Sequence, residues 1–532
     1  MQILNINCIL KEVDFIKIKQ ESGEKIMAKN YWEMVAFIVY LMLVLGIGIF
    51  FFIRGRKQTG DKAYFLGGRQ MNGFVAALSA GASDMSAWVL MGLPGSIYLV
   101  GMGKVWISVG LLIGTICAWI FIAPKLRKYS IKADDSITIP QFLTNRFKEK
   151  NPALQAVCAV IFIVVYCIYS ASSISACGSL FNSIFGWDPL YAMIGATVII
   201  LLYTFLGGFN AVCWTDFFQG MLMLMALMAA PIVALIVMNK PGFVPLAEVE
   251  TGANYYNVLT SGKFDYSSIA DILSGLGWGL GYMGMPHILV RYMSIKSEKD
   301  MKRSQIIGCF WTTVILIMAS IVGLVAHQYI GTFLVDNKEI VFITMVRGLF
   351  PALLAGVLLS AILAASMSTA DSQLLASSSA FASDFYKPVL RKKAGDKEMM
   401  VVGRGVVAFI SVVALLIAVN PNCKGIMALV ECAWGAFGAA FGPAIILALY
   451  WKRFTYKGAI AGIVAGFAMD AFWYCCLSGS VEKLTLYNTG IYEIIPGFIF
   501  SLIVAVVVSL IDKKPAREIS DLFDEVSRMK ED

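Results

Sequence analysis

Ala76-Ala77-Leu78-Ser79-Ala80-Gly81-Ala82-Ser83-Asp84-Met85-Ser86-Ala87-Trp88 is the stretch on which the reading of this 532-residue chain turns. One carboxylate sits inside a run of small and apolar residues, and Gly92, Pro94 and Gly95 follow. An ionisable group at the centre of a bilayer costs about 2.5–3.5 kcal/mol or more, so Asp84 is a functional candidate by default. Unwound backbone at that depth is tolerated only where it lines a cavity or is buried in protein. Small residues serve close helix packing equally well, and an Asp at a break can cap a helix.

The composition puts this stretch in a membrane. Hydrophobic residues make up 58% of the chain and charged residues only 15%, against about 25% in a soluble domain. That excludes a soluble enzyme, a disordered chain and a nucleic-acid partner. A crossing needs roughly 20 mostly apolar residues. Thirteen segments qualify: 34–53, 72–99, 105–124, 153–181, 189–206, 212–238, 268–290, 305–328, 351–384, 400–419, 425–450, 458–477 and 491–511. The expected class is an all-α membrane protein.

Loop charges orient the spans. Arg54, Arg56, Lys57, Lys62 and Arg69 follow span 1, and Lys125, Arg127, Lys128, Lys132, Arg146, Lys148 and Lys150 follow span 3. Arg291, Lys296, Lys299, Lys302 and Arg303 follow span 7, Lys387 to Lys397 span 9, and Lys452, Arg453 and Lys457 span 11. The alternate loops hold few positive residues, such as Lys104 or Lys424. The positive-inside rule then places the N-terminus outside and the C-terminus in the cytoplasm. The +8 net charge, 43 Lys plus Arg against 35 Asp plus Glu, becomes a topology signal. The 11 Cys lie mostly in apolar runs without metal-ligand spacing, and two His exclude a multi-His metal site.

Span 7 carries Gly275, Gly277, Gly279, Gly281, Gly284 and Pro286 around Trp278 and Tyr282, a poor continuous helix. It starts five spans after span 2. Spans 2–6 and 7–11 therefore read as two five-helix repeats, and because five is odd they are inverted. Paired broken helices in corresponding positions point to a transporter's central site. Trp278 and Tyr282, at i and i+4, share a face where span 7 is helical. They box a small apolar group or belong to the core. Ser368 and Thr369 in span 9 offer hydroxyl ligands to a hard cation such as sodium, or bond back to their own helix. Asp216, after Gly207-Gly208 and Trp214-Thr215, reads as a near-surface gating or helix-start residue. Arg69 pairs with a cytoplasmic carboxylate or is one more inside charge. Glu431 and Asp470 have no evident partner.

Together these motifs resemble the sodium/solute symporter family. The likeness rests on Leu66-Gly67-Gly68-Arg69, Ala80-Gly81-Ala82-Ser83-Asp84-Met85-Ser86, Leu90-Met91-Gly92-Leu93-Pro94-Gly95, Tyr203-Thr204-Phe205-Leu206-Gly207-Gly208-Phe209, Trp214-Thr215-Asp216, Gly277-Trp278-Gly279-Leu280-Gly281-Tyr282, Pro286-His287-Ile288, Leu359-Ser360-Ala361-Ile362-Leu363-Ala364-Ala365, Met367-Ser368-Thr369 and Ala436-Phe437-Gly438-Ala439-Ala440-Phe441-Gly442-Pro443. It implies a leucine-transporter-type inverted-repeat fold with extra helices, and sodium-coupled uptake of L-proline across the cytoplasmic membrane by alternating access. Sodium would be held by backbone oxygens of Ala82, Met85 and Ala365 and hydroxyls of Ser368 and Thr369, with Asp84 setting affinity. The solute would be held by Ser86, Ala87, Trp88, Tyr169, Trp278, Tyr282 and Pro286, while Arg69 and Asp216 would serve gating and coupling. No cofactor beyond the coupling Na+, no other metal and no obligate protein partner are implied. One position departs: the proline-type motif carries Gly where this chain has Ala87, an extra methyl beside the solute. The alternatives are a sodium symporter for another small amino or organic acid, or a transporter-fold sensor. Sensors carry a large cytoplasmic domain after the last span, and here only a charged tail, 513–532, follows. A membrane enzyme lacks a nucleophile–base pair, nucleotide loop or cofactor motif here.

The organisation expected is one transporter domain over 27–512, the tail, and an N-terminal extension over 1–26. The extension balances Lys11, Lys17, Lys19 and Lys25 against Glu12, Asp14, Glu21 and Glu24 and lacks the apolar core of a signal peptide. Translation is expected to start at Met27. Mass spectrometry of the native protein should find an N-terminus at Met27 or Ala28, and a peptide beginning at Met1 or Gln2 would refute it.

Overall fold

The computed structural model describes residues 29–50, 53, 66–206, 208–334, 337–481 and 484–529. The 1–26 segment, Met27, Arg54, Arg56, Lys57, Lys62 and Gly207 lie outside them. Among the described residues the regular structure is helical, apart from one parallel bridge between Met71 and Ile295.

Helix α1 (Lys29–Phe50) precedes α2 (Gly73–Asp84) and α3 (Trp88–Val100), which form one span bent by 62°. Then come α4 (Met102–Lys132), the short α5 (Ile139–Arg146), α6 (Ala153–Phe185), α7 (Pro189–Leu206) and α8 (Phe209–Met238). The order recurs in α9 (Tyr266–Gly277) and α10 (Pro286–Ser294) around a break, α11 (Glu298–Ile330), the short α12 (Val341–Leu349), α13 (Ala352–Ser379), α14 (Asp396–Ala418) and α15 (Ile426–Tyr450). Helices α16 (Tyr456–Cys476), α17 (Ile494–Ile511) and α18 (Arg517–Arg528) follow.

Ten described helices are long and apolar enough to cross a bilayer, eleven with the bent pair counted as one. This is fewer than the thirteen spans read from hydropathy. One difference is α7, an 18-residue helix of which the stretch Pro189–Leu202 is counted among the shorter apolar helices. The other is segment 268–290, which is split between α9, a 3₁₀ turn over Trp278–Met283 and α10.

The backbone explains both breaks. At the end of α2, Met85 leaves helical geometry (φ −77°, ψ 73°). The Ser86 N–H then donates to Asp84 O at 2.9 Å instead of reaching back to Ala82, so the Ala82 carbonyl loses its helical donor. In span 7 the glycines serve both readings at once. A Cβ on Gly110 or Gly114 of α4, or on Gly275 or Gly279, would come within 2.2–2.6 Å of the facing segment, so the two spans touch backbone to backbone. The same glycines let the chain tighten to 3₁₀, and Pro286, lacking an N–H, restarts the helix at its first turn.

Three charges assigned to loops, Arg69, Arg146 and Arg291, are instead buried. Arg291 lies in α10 and is 2% exposed. Arg146, at the end of α5, is fully buried and donates from Nε to Ala448 O at 3.2 Å. Its guanidinium lies 5.3–5.5 Å from the ring centres of Tyr129, Phe147 and Phe523. Phe523 belongs to α18, which buries Leu522 and Val526 and pairs Glu518, Asp524 and Glu525 with Lys148, Lys452 and Lys132 at 3.3, 2.6 and 2.6 Å. The tail helix thus clamps the segment after α4 to the one after α15. An exposed pair contributes only about 0.2–1 kcal/mol and is screened by salt. Truncation after Pro515 should lower the melting temperature in detergent, with a difference from the full chain that narrows as salt rises. No change at low salt would contradict the clamp.

Candidate functional site

The freed Ala82 carbonyl meets α13. Ser368 Oγ donates to Ala82 O at 2.8 Å and lies 3.1 Å from Ala365 O. A hydroxyl has one proton, so it satisfies only one of these carbonyls at a time. Three of the five oxygens expected to hold sodium are therefore gathered at one point. Thr369 Oγ1, next along α13, is buried and has no hydrogen-bond partner, and Met85 supplies the non-helical corner beside them. Such oxygens suit a hard cation.

Asp84 stands at this corner, 2% exposed. Its Oδ2 accepts from Tyr282 Oη at 2.5 Å, and its Oδ1 has no partner. It does not cap α2 through its side chain. Its main-chain carbonyl instead accepts from Ser86 N and from Trp88 Nε1 at 3.1 Å, which seals the broken end. The Asp84–Tyr282 bond joins the two interrupted spans directly, and an unpartnered carboxylate oxygen at this depth demands a donor or a cation.

Beside it lies a cluster of aromatic side chains. Trp88 and Trp278 face each other with ring centres 6.4 Å apart. Tyr169 is buried, and its hydroxyl faces Ser86 and Trp88 without a hydrogen bond of normal geometry. Ser86 and Ala87 are buried in the turn between α2 and α3. Trp278 and Tyr282 do not share an α-helical face, because this part of span 7 is 3₁₀; both instead flank Trp434 of α15, at 6.4 and 5.1 Å between centres. Pro286 lies one step away, on a cavity of about 20 Å³ with His287, Arg291, Phe162 and Ser372, room for about one water.

Asp216 is not near the surface. It is fully buried, and Arg291 Nη2 donates to its Oδ2 at 2.8 Å. Arg291 also bonds Ser79 Oγ at 2.8 Å, Ser372 Oγ at 2.5 Å and His287 O at 2.6 Å, and Ser79 Oγ donates to Asp216 at 2.7 Å. One guanidinium so ties α2, α8, α10 and α13. Ser372 passes the tie to Ser368 O at 2.6 Å, one residue from Thr369. Sequence reasoning missed Arg291 because the positive-inside rule absorbed it; the signal was the unmatched Asp216, which needed a counter-charge. Trp434 and Tyr492, which stacks on Trp278 at 5.2 Å, carried no polar signal.

Arg69 sits at the entrance to α2 in the left-handed region (φ 55°), uncommon for a side-chain-bearing residue. Four bonds hold it there: to Asp135 Oδ1 at 2.8 Å, Ser130 Oγ at 3.1 Å, Ser136 O at 2.7 Å and Met293 O at 2.6 Å. Burial lowers its pKa while Asp135 pulls it back up. Breaking a buried pair by removing one partner costs about 3–5 kcal/mol, and removing both charges costs less. Arg291→Gln should therefore sharply lower thermal stability, and adding Asp216→Asn should recover part of it. Additive losses would argue against a coupled pair.

Comparison with known proteins bears on the family and the fold. Residues 64–466 match the sodium:solute symporter family. The osmoregulated proline transporter OpuE of Bacillus subtilis (strain 168) is 41% identical over 493 residues, covering 92% of this chain and 97% of the relative. A sodium/proline symporter of Staphylococcus aureus (strain JH9) is 41% identical over 495 residues, covering 91% and 94%. A Na+-coupled sialic acid symporter, solved substrate-bound and outward-open, superposes with a TM-score of 0.73 at 18% identity, over 91% of this chain and 99% of that one. Mhp1, a nucleobase-cation-symport-1 family transporter solved closed with bromovinylhydantoin, gives 0.51 at 14%, over 87% and 98%. These two likenesses bear on the fold alone, which is the leucine-transporter-type inverted repeat. The chain is a multi-pass membrane transporter, not an enzyme, and it belongs to the sodium:solute symporter family.

Proposed function

We propose that this protein takes up L-proline together with sodium across the cytoplasmic membrane, by alternating access. The observation that carries the reading is the bridge from Ser368 to Ala82, set beside the Asp84–Tyr282 bond. Sodium takes the oxygens of Ala82, Met85, Ala365, Ser368 and Thr369, displacing the Ser368 proton from Ala82. It then fastens α13 to the broken span 2, and its charge offsets Asp84. The same span, through Asp84 and Tyr282, sets the aromatic wall against which the pyrrolidine ring packs. Ion and solute are in this way coupled through a single turn of backbone. Such coupling is reciprocal and typically about 1–3 kcal/mol. The membrane potential adds about 2.3 kcal/mol per charge per 100 mV to inward movement.

The proline assignment is supported by the names of relatives 41% identical over more than nine-tenths of the chain. The Ala87 methyl favours a compact solute. Arg69 and the Arg291–Asp216 pair act on the inner side, where the positive loops put the cytoplasm, with the N-terminus outside and the C-terminus inside. No cofactor and no protein partner enter this scheme.

In proteoliposomes, labelled proline should accumulate under an inward sodium gradient and not under a potassium gradient. Asp84→Asn should raise the sodium needed for half-maximal uptake by at least about tenfold, the factor for a loss of about 1.4 kcal/mol. Wild-type sodium dependence in Asp84→Asn would overturn the role given to the carboxylate, and uptake of another solute instead of proline would overturn the substrate.

A further inference from the structure

Trp434 lies on α15 and is 1% exposed. Its Nε1 donates to the main-chain carbonyl of Trp278 at 2.7 Å. Its ring stacks on Trp278, with planes 30° apart, and meets the edge of Tyr282 at 83°. Gly281 is the reason the two helices fit, because a Cβ there would run into the indole nitrogen. Behind Trp278, Tyr492 stacks at 5.2 Å and anchors its hydroxyl on Glu431 O at 2.8 Å. A 3₁₀ segment has poorer hydrogen-bond geometry than an α-helix. The direction of the Trp278 and Tyr282 rings is consequently set from outside, by a donor on another helix.

We infer that Trp434 is a positioning residue of the solute site and a determinant of its ring-size selectivity. Its indole N–H fixes the break in span 7, and its ring packs against Trp278 and Tyr282 in the aromatic cluster. It acts through those two rings without touching the ion oxygens around Ser368. This rests on the reading above that Trp278 and Tyr282 face the solute. A wall of rigid aromatics rejects a larger ring by overlap, so removing the bond that fixes the wall relaxes the rejection.

The test is transport by Trp434→Phe in proteoliposomes, competed with the four- and six-membered-ring homologues of proline. The KM for proline should rise about fivefold, the factor for one net hydrogen bond, with the maximal rate near wild type. The six-membered ring should compete better relative to proline than it does in wild type. Trp434→His, which keeps a ring N–H, should recover part of the affinity. Trp473→Phe is the control, since it loses a similar indole bond, to Ile491 O at 3.1 Å, away from the cluster. A wild-type KM and competition pattern in Trp434→Phe, or the same change in Trp473→Phe, would overturn the inference. A wild type that fails to transport proline would instead count against the substrate reading. If Trp434→Phe does not fold, the proline KM and ring selectivity of Trp434→His decide the matter, and unchanged values sink the proposal.

Discussion

An interrupted backbone in an apolar interior is the constraint on which the rest of this structure depends. Where α2 stops at Asp84, the Ala82 carbonyl loses its helical donor inside a fully buried stretch. The surroundings must supply polar partners, because an unmet backbone group there costs several kcal/mol. Ser368 meets the Ala82 carbonyl and Trp88 the Asp84 carbonyl, while Tyr282 meets the Asp84 carboxylate, and the three come from different segments. A partner that can let go, as a serine hydroxyl can, leaves oxygens that the proposed sodium would take.

The second break follows the same logic with different means. Glycine-to-glycine contact holds span 7 against α4, and the 3₁₀ turn leaves the Trp278 carbonyl to be claimed by Trp434. The two breaks then meet through one bond, Asp84 to Tyr282. Beside them, Arg291 bonds Asp216, Ser79 and Ser372 and supplies a buried positive charge. The last link of that network, Ser372, also touches Ser368.

Much of this was legible in the sequence. An Asp among small residues and a glycine run ending in proline mark two breaks without any structure, because helix propensity and membrane cost are local. The five-span interval followed from hydropathy. What was not legible depended on long-range pairing. The rule that positive residues gather inside reads Arg291 and Arg146 as loop charges, yet the fold buries both. The i, i+4 pairing of Trp278 with Tyr282 assumed an α-helix, and the 3₁₀ turn instead brings both against Trp434. Nothing in Glu431-Cys432-Ala433-Trp434-Gly435 announces that role. The described helices do not reproduce all thirteen crossings, because a hydropathy window does not register a broken span such as the one over Trp278–Met283.

In the proposed scheme ion and solute share the turn at Asp84, so each must tighten the other. The most direct measurement is the equilibrium affinity of the purified protein for proline in sodium and in potassium at equal ionic strength. The account predicts tighter binding in sodium by a factor of about 5–150, with proline tightening sodium by the same factor. Equal affinity in the two salts would contradict it.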